Sequence, residues 1–184
     1  MTQTSEPTPA DVINFWTEAG PDKWYKKDAE FDRSIAERFG KVHRAAADGA
    51  RDAWKKTPEG ALALLLLLDQ FSRNLFRGSA ETYTQDPKAR EIAREALAKG
   101  FDKKVGPPLQ QFFYLPFMHS EELADHQRCV ALAHALGNPE TLKYARHHED
   151  IVRRFGRFPH RNALLGRHTS PAEQAFLESG GFGG

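Results

Sequence analysis

Arginine, histidine and asparagine are concentrated in one short segment of the chain, Arg157-Phe158-Pro159-His160-Arg161-Asn162. A guanidinium group can bind a carboxylate or phosphate through two parallel hydrogen bonds, and an imidazole can exchange a proton near neutral pH. The segment therefore predicts contacts to an anionic ligand from Arg157, His160, Arg161 and Asn162. A structural role is the alternative, in which Arg157 and Arg161 bind the last carbonyl groups of the preceding helix and Asn162 holds the turn. The residue types alone are compatible with both.

A second segment with a similar pattern lies upstream, at Asp69-Gln70-Phe71-Ser72-Arg73-Asn74-Leu75-Phe76-Arg77-Gly78. Both segments carry an Arg-Asn pair shortly after a phenylalanine, which hints at two related halves of the chain. Asp69, Arg73 and Arg77 are spaced at intervals of four residues and would share one face of a continuing helix. They form either a structural ion-pair network or a ligand-facing one. In the second case Asp69 orients the arginines, and the ligand is contacted by Arg73, Asn74 and Arg77.

A third segment, Tyr114-Leu115-Pro116-Phe117-Met118-His119-Ser120-Glu121, combines aromatic residues with a histidine and an acid. Pro116 breaks or kinks a helix, and Ser120 is a predicted N-cap of the next one. His119 would then lie near a helix N-terminus, where the dipole favours a neutral imidazole or a bound anion. A histidine hydrogen-bonded inside an aromatic core is the alternative. If the protein is an enzyme, its catalytic candidates are His119, Glu121 and His160.

The remaining motifs predict neither a metal site nor a cofactor. His147 and His148 are adjacent, so on a helix their side chains point about 100° apart and rarely bind one ion; His148 alone is kept as a ligand-binding candidate. No zinc spacing, phosphate-binding loop, dinucleotide fingerprint or nucleophile elbow is present in the sequence.

Composition predicts an ordinary globular protein. The 184 residues are 40% hydrophobic and 28% charged, with a net charge of +1, which provides no overall attraction to nucleic acid or to an acidic membrane. The apolar run from Ala61 to Leu68 is too short to span a bilayer. Cys129 is the single cysteine and lies on an apolar helix face, which predicts a buried, inert thiol. Together these features favour a soluble, cytoplasmic protein.

The elements that must position these residues are predicted to be helices. Five pairs place a side-chain acceptor before a proline, a pattern typical of helix starts: Thr8-Pro9, Thr57-Pro58, Asp86-Pro87, Asn138-Pro139 and Ser170-Pro171. The apolar spacing is helical between them and never alternates convincingly. We predict an all-α fold of antiparallel helix pairs, with about eight helices at 8–18, 28–50, 58–72, 87–99, 107–115, 120–136, 139–155 and 171–178. A single domain over 8–178 would be flanked by a flexible N-terminus at 1–7 and a flexible Gly-rich tail at 179–184.

From Val12 to about Leu177 the chain resembles a family of uncharacterised bacterial proteins, domain of unknown function nine-two-four. The likeness is carried by Leu68 to Gly78, by Tyr114 to Glu121 and by Arg154 to Asn162. Ser72 stands where the family more often has proline. The resemblance implies a tetratricopeptide-like stack of helix pairs and no settled activity, although no 34-residue repeat is legible in this sequence.

Three functions are compatible with these patterns. The first is a pocket lined by the three segments that binds a small anionic ligand or an acidic peptide terminus. The second is a tetratricopeptide-like interaction module, in which the segments only stabilise the fold. The third is an enzyme that uses His119 and a carboxylate.

Overall fold

The computed structural model describes residues 6–182, and within this range the chain is all-α, without a strand. Most of the N-terminal segment 1–7 therefore lies outside the described residues. Seven helices of eight residues or more are present between 6 and 182: α1 (Pro9–Ala19), α2 (Ala29–Ala47), α3 (58–75), α4 (Asp86–Ala98), α5 (Leu123–Leu136), α6 (Pro139–Phe155) and α7 (Pro171–Glu178). Within α3 the turns of Leu66–Phe71 wind as a π-helix. No helix of the described chain is both long enough and apolar enough to cross a bilayer.

Four of the five predicted acceptor-proline pairs cap a helix as expected. The side chains of Thr8, Thr57, Asn138 and Ser170 each accept a hydrogen bond from a backbone amide of the first turn. These amides have no carbonyl partner within their own helix, so the caps satisfy donors that would otherwise be lost. The acceptor-proline pattern therefore locates the starts of α1, α3, α6 and α7.

The fifth pair, Asp86-Pro87, begins α4 but does not cap it. No side chain caps the first turn there, because both carboxylate oxygens of Asp86 bind the guanidinium group of Arg73, at 3.1 and 3.2 Å. The guanidinium group is the stronger partner for this carboxylate, because it adds a charge–charge attraction to two hydrogen bonds, whereas a backbone amide is a neutral donor. The prediction of a cap was wrong at this position.

The helix predicted over 107–115 was also wrong. The chain instead forms a 3₁₀ turn at Leu109–Phe113 and a four-residue helix at Leu115–Met118. Pro116 explains the break, because its nitrogen cannot donate to the carbonyl of Phe112 and its ring would collide with that carbonyl in a continuous α-helix. The helix predicted over 120–136 begins later than expected, at Leu123, with Glu122 and not Ser120 in the cap position.

The described residues form two compact units. One comprises 6–77 and 81–116, and the other comprises 78–80 and 117–182. The single domain expected over 8–178 stays a prediction, as does the tetratricopeptide-like stacking.

An aromatic and leucine-rich core holds the first unit together. Every residue from Ala61 to Phe71 is buried, so α3 runs through the centre of this unit. Its Phe71 ring packs against Trp16 of α1 and Phe39 of α2, with ring centroids 5.5 and 5.3 Å away. Burying large aromatic side chains contributes roughly 2 kcal/mol each. This burial fixes α3, the helix that carries Asp69 and Arg73.

The second unit is built on the packing of α5 against α6, followed by a turn at 159–161 and then α7. Gly156 ends α6 with a φ of 70°, a left-handed conformation that glycine adopts without strain. The chain therefore reverses directly before Phe158 of the Arg157–Asn162 segment. The Phe158 side chain is fully buried against Ile151 and Val152.

Candidate functional site

Arg73, in the first unit, is held by two carboxylates. Its Nη1 lies 3.2 Å from Asp69 Oδ1 and donates to the Asp69 carbonyl at 2.6 Å, and the guanidinium group binds Asp86 through both nitrogens. Burial opposes the charge of Arg73, but Asp69 and Asp86 outweigh it and raise the arginine pKa above its usual value. The contacts are those of a structural network.

Arg77 and Asn74 share a different carboxylate, that of Asp32 in α2. Arg77 donates to Asp32 from Nε at 2.9 Å and from Nη2 at 3.1 Å, and the amide of Asn74 donates at 2.7 Å. Since α3 ends at Leu75, Arg77 does not continue the helical face of Asp69 and Arg73. The ladder predicted from the four-residue spacing is therefore replaced by two separate ion pairs.

A buried Ser–His contact lies beside this network. His43 Nε2 is 2.9 Å from the hydroxyl of Ser72, which itself donates to the carbonyl of Leu68 at 2.7 Å. The serine hydroxyl therefore accepts from Nε2–H, the reverse of what activation of a nucleophile needs. Burial lowers the pKa of His43 to about 4, so this imidazole is neutral at physiological pH.

In the second unit, Glu121 joins the end of the Tyr114–Glu121 segment to the turn after α6. Its carboxylate accepts hydrogen bonds from the amide of Phe158 at 2.8 Å and from both terminal nitrogens of Arg167, at 2.7 and 2.9 Å. Burial opposes ionisation, but these hydrogen bonds hold the pKa of Glu121 below its usual value. A carboxylate engaged in this way is poorly placed to transfer protons.

Replacing Glu121 with glutamine is expected to lower the free energy of unfolding by about 1–3 kcal/mol, because the charge-assisted bonds to Arg167 are lost while their donors stay in place. Urea denaturation of wild type and Glu121→Gln measures the difference. Glu122→Gln, on the exposed neighbouring residue, is the control and should stay within about 0.5 kcal/mol. A catalytic Glu121 would instead give a stable variant that has lost activity.

Arg157 does not bind the last carbonyl groups of α6, as the structural alternative proposed for it. Arg157 donates to both carboxylate oxygens of Glu173 in α7, at 2.6 and 2.9 Å, and to the carbonyl of His168 at 2.7 Å. The hydrogen bonds from Arg157 lower the pKa of Glu173 to about 2. Asn162 accepts from Arg167 Nε at 2.9 Å and is fully buried. The segment therefore ties the turn after α6 to α7, through side-chain pairs.

Five histidines of the second unit surround two phenylalanines. We call this set the histidine cluster: His119, His126, His147, His148 and His160, with Phe158 and Phe182. The Phe158 ring lies 5.7 Å from His126, 5.7 Å from His148 and 5.6 Å from His160, between ring centroids. His119 reaches the cluster through His148, at 6.4 Å. Such edge and tilted contacts are favourable for aromatic rings.

Two members of the cluster are buried and neutral. His148 Nδ1 lies 2.8 Å from the carbonyl of Tyr144, and His126 Nε2 lies 2.6 Å from the carbonyl of Ser120, so both nitrogens donate. Burial lowers the pKa of His148 to about 3 and also lowers that of His126, with a further effect of His119 on both. Protonating His126 would also place a donor on Nδ1, which has no hydrogen-bond partner among the described residues.

His147 is exposed, and His119 and His160 are partly exposed. Arg161 lies beside His119. Arg161 donates from Nη2 to the carbonyl of His119 at 2.9 Å, and its guanidinium carbon lies 4.6 Å from the centre of the Phe158 ring. A guanidinium over an aromatic face is favoured by the ring quadrupole. Arg161, in the first of the three segments, therefore contacts His119, in the third.

The structure thus brings together some of the predicted site residues and leaves others apart. His119, His148, His160 and Arg161 gather within the second unit, whereas Asp69, Arg73, Asn74 and Arg77 belong to the first. A pocket shared by all three segments stays a prediction.

Sequence patterns missed the long-range partners of these segments. Asp32, Asp86, Glu173 and Arg167 each complete an ion pair with a predicted site residue or with Glu121. No local spacing signals them, because they lie on other elements. Phe182 was assigned to a flexible tail, although it contacts three histidine rings.

Neither a reactive thiol nor a metal-binding group is found among the described residues. Cys129 is fully buried, as predicted, and burial raises the pKa of its thiol to about 12, so it is no nucleophile. No group of three His, Cys, Asp or Glu side chains between residues 6 and 182 has an arrangement that could hold a metal ion.

Comparison with known proteins supports the family resemblance. A solved structure of a protein of unknown function from Agrobacterium tumefaciens is 50% identical in sequence, with a TM-score of 0.90, and the match covers 93% of this chain and 97% of the other. No curated protein matches the chain. The family model described as a bacterial protein of unknown function (DUF924) matches residues 12–181. The chain belongs to this bacterial family.

Proposed function

We propose that the protein binds a small anionic ligand at the histidine cluster of its second unit. The observation that carries this proposal is the gathering of His148, His160 and the Arg161 guanidinium around the buried ring of Phe158, with His119 against His148. Four nitrogen-rich side chains from three separate parts of the sequence meet at one place. Perturbed titratable groups gathered beside aromatic residues are a frequent mark of a binding site.

The charge of the site favours an anion. Arg161 is always protonated, and an imidazole can gain a proton between about pH 5 and pH 8, particularly when an anion binds beside it. His119 and His160 are the cluster members that combine partial exposure with a place in the Tyr114–Glu121 segment or the Arg157–Asn162 segment. The buried, neutral His148 supports them and supplies no charge of its own. The ligand therefore binds to His119 and His160, with Arg161 positioning the former.

Three arginines that form ion pairs within the protein are not part of the proposed binding site. Arg73, Arg77 and Arg157 each bind carboxylates of their own unit through two or more contacts. An external anion would have to displace those carboxylates, which are intramolecular and already paired. Compared with the sequence prediction, the proposed site is smaller and lies wholly in the second unit.

Isothermal titration near pH 6 with phosphate, succinate and a peptide ending in two glutamates tests the proposal. We expect His119→Gln and His160→Gln each to weaken binding of the preferred anion about tenfold, since one charge-assisted hydrogen bond contributes about 1.5–3 kcal/mol and 1.4 kcal/mol is a factor of ten. His134→Gln, on an exposed histidine of α5, is the control. Equal affinity of all three variants and the wild type, or no binding by any, would overturn it.

A helical interaction module is the second candidate, and the paired arginines favour it. Arg73, Arg77, Arg157 and Arg167 all form ion pairs within the protein. Under this candidate the residues of the three segments only stabilise the fold, and a partner protein binds elsewhere on the helices. Under this candidate His119→Gln and His160→Gln lower the melting temperature and do not alter any anion titration. Measuring both quantities on the same variants separates the two functions.

A further inference from the structure

Residues 179–182, which follow α7, take a defined path. Gly180 has a φ of +81°, and the amide of Gly181 donates to the carbonyl of Phe176 at 2.9 Å. A Cβ atom on Gly181 would lie 2.4 Å from that carbonyl oxygen and 2.7 Å from the Phe176 ring. Real Cβ atoms do not approach so closely, so this path requires glycine at 181. The flexibility expected of 179–184 stays a prediction, but residues through 182 have a specific packing arrangement.

This path places Phe182 on the histidine cluster. Its ring centroid lies 4.6 Å from that of His148, 5.2 Å from His160 and 5.7 Å from His147. The same ring packs against the core cluster of Ile151, Val152 and Phe158. It therefore covers part of the surface that includes His160, one of the two proposed ligand contacts.

We propose that Phe182 is an intramolecular plug, and that the aromatic subsite it fills receives the ring of an aromatic anionic ligand when the tail leaves. The proposal rests on the anion site at the histidine cluster and adds the ligand class to it. The imidazoles and Phe158 present ring faces and edges that suit another aromatic ring. Phe182 lies after α7 in the chain and belongs to neither α5 nor α6, so it can leave the subsite while that helix pair stays packed.

The consequence is a competition between Phe182 and the ligand ring. A ligand that carries a carboxylate beside an aromatic ring gains two contacts at once, from His160 and from the vacated subsite. Molecules in which Phe182 fills the subsite cannot bind the ligand ring. The apparent affinity is therefore the intrinsic affinity multiplied by the fraction of molecules whose subsite is open. Removing the plug should therefore raise affinity for aromatic anions much more than for small ones.

Titration of the full-length protein with 3-phenylpropionate and with acetate tests the plug. Two variants open the subsite differently: Phe182→Ala removes the ring, and Gly181→Ala disrupts the path but keeps the ring. We expect both to bind 3-phenylpropionate about tenfold more tightly than wild type, given that an aromatic contact and its buried area contribute about 1–2 kcal/mol. Acetate affinity should change less than about twofold. Leu164→Ala, which removes an exposed apolar side chain of the same unit, is the control and should match wild type.

Equal affinity of wild type and both opened variants for 3-phenylpropionate would overturn the plug. If His119→Gln and His160→Gln still weaken phosphate or succinate binding in that case, the anion site stands and only the plug fails. If those histidine variants have no effect either, the anion site itself is wrong. A gain in Phe182→Ala that is absent in Gly181→Ala would also contradict the proposed path.

Discussion

Replacing Arg73 with methionine is expected to lower the free energy of unfolding by about 3–5 kcal/mol, the largest effect predicted for any single charge in the chain. Asp69 would lose its ion-pair partner while its side chain remains only 2% exposed. Asp86 would lose two hydrogen bonds at the start of α4. A buried carboxylate without its cation must either stay charged at high cost or take up a proton. Urea denaturation at neutral pH measures the loss.

The double variant Arg73→Met with Asp69→Asn isolates this effect. Neutralising Asp69 removes the uncompensated charge, so the double variant should be more stable than the sum of the single losses predicts, by at least about 1 kcal/mol. Lys143→Met is a matched control, because its ammonium group is exposed and lies 3.9 Å from an equally exposed Glu140. An Arg73→Met protein within about 1 kcal/mol of wild type would contradict the structural role and return Arg73 to the ligand site.

Acidification from about pH 6.5 to about pH 4 is the second perturbation expected to have a large effect. In the unfolded chain His43 and His148 take up protons below about pH 6.5, whereas in the folded protein burial keeps them neutral until about pH 4 and about pH 3. The unfolded state then binds more protons, so stability falls as the pH falls, by about 1.4 kcal/mol per pH unit for each histidine. Stability between pH 6.5 and 7.5 should be nearly constant on this account.

Chemical denaturation at half-unit steps of pH measures this slope. His43→Gln and His148→Asn are the informative variants, since their amides imitate the Nε2 donor of His43 and the Nδ1 donor of His148 without titrating. Each should reduce the slope between about pH 6 and pH 5 by about 1.4 kcal/mol per unit. The exposed His134→Gln should leave it unchanged. The paired acids Glu121 and Glu173, whose pKa values are lowered by their arginine partners, stabilise the protein at neutral pH, and this stability is lost only as the pH falls below their ordinary pKa range. Identical slopes in all variants would show that neither histidine is held neutral.

Local chemistry made much of the fold predictable. Proline after a capping residue located the starts of α1, α3, α6 and α7, and Gly156 located the end of α6, because caps and left-handed glycines depend on a few adjacent residues. The apolar run before Asp69 correctly indicated a buried helix. The prediction failed over 107–115, where the chain forms a 3₁₀ turn at Leu109–Phe113, because apolar spacing over so few residues does not distinguish a 3₁₀ turn from an α-helix.

The candidate site was predictable only in part. The sequence identified His119, His148, His160 and Arg161 as separate candidates. The structure places the last three around Phe158 and His119 against His148. The sequence could not show that Arg157 binds Glu173 or that Arg77 binds Asp32, because such pairs depend on how distant helices pack. Nor could it show that Phe182 returns to His148, since a Gly-rich tail has no periodicity from which to infer packing.

The two Arg-Asn segments nevertheless have related structural roles. Each segment contains a buried phenylalanine and binds a carboxylate from another element: Asn74 and Arg77 bind Asp32 in the first unit, and Arg157 binds Glu173 in the second. The difference lies in what surrounds them. Only the second segment has a histidine and a stacked arginine beside its phenylalanine, and the proposed anion site is placed there for that reason.

Imidazole resonances observed in a long-range ¹H–¹⁵N spectrum during a phosphate titration provide the most direct measurement. If the histidine cluster is the binding site, the signals of His119 and His160 shift with saturation as phosphate is added, while those of the exposed His134 and His168 do not. Shifts confined to His134 and His168, or equal small shifts of every exposed histidine, would contradict binding at the cluster.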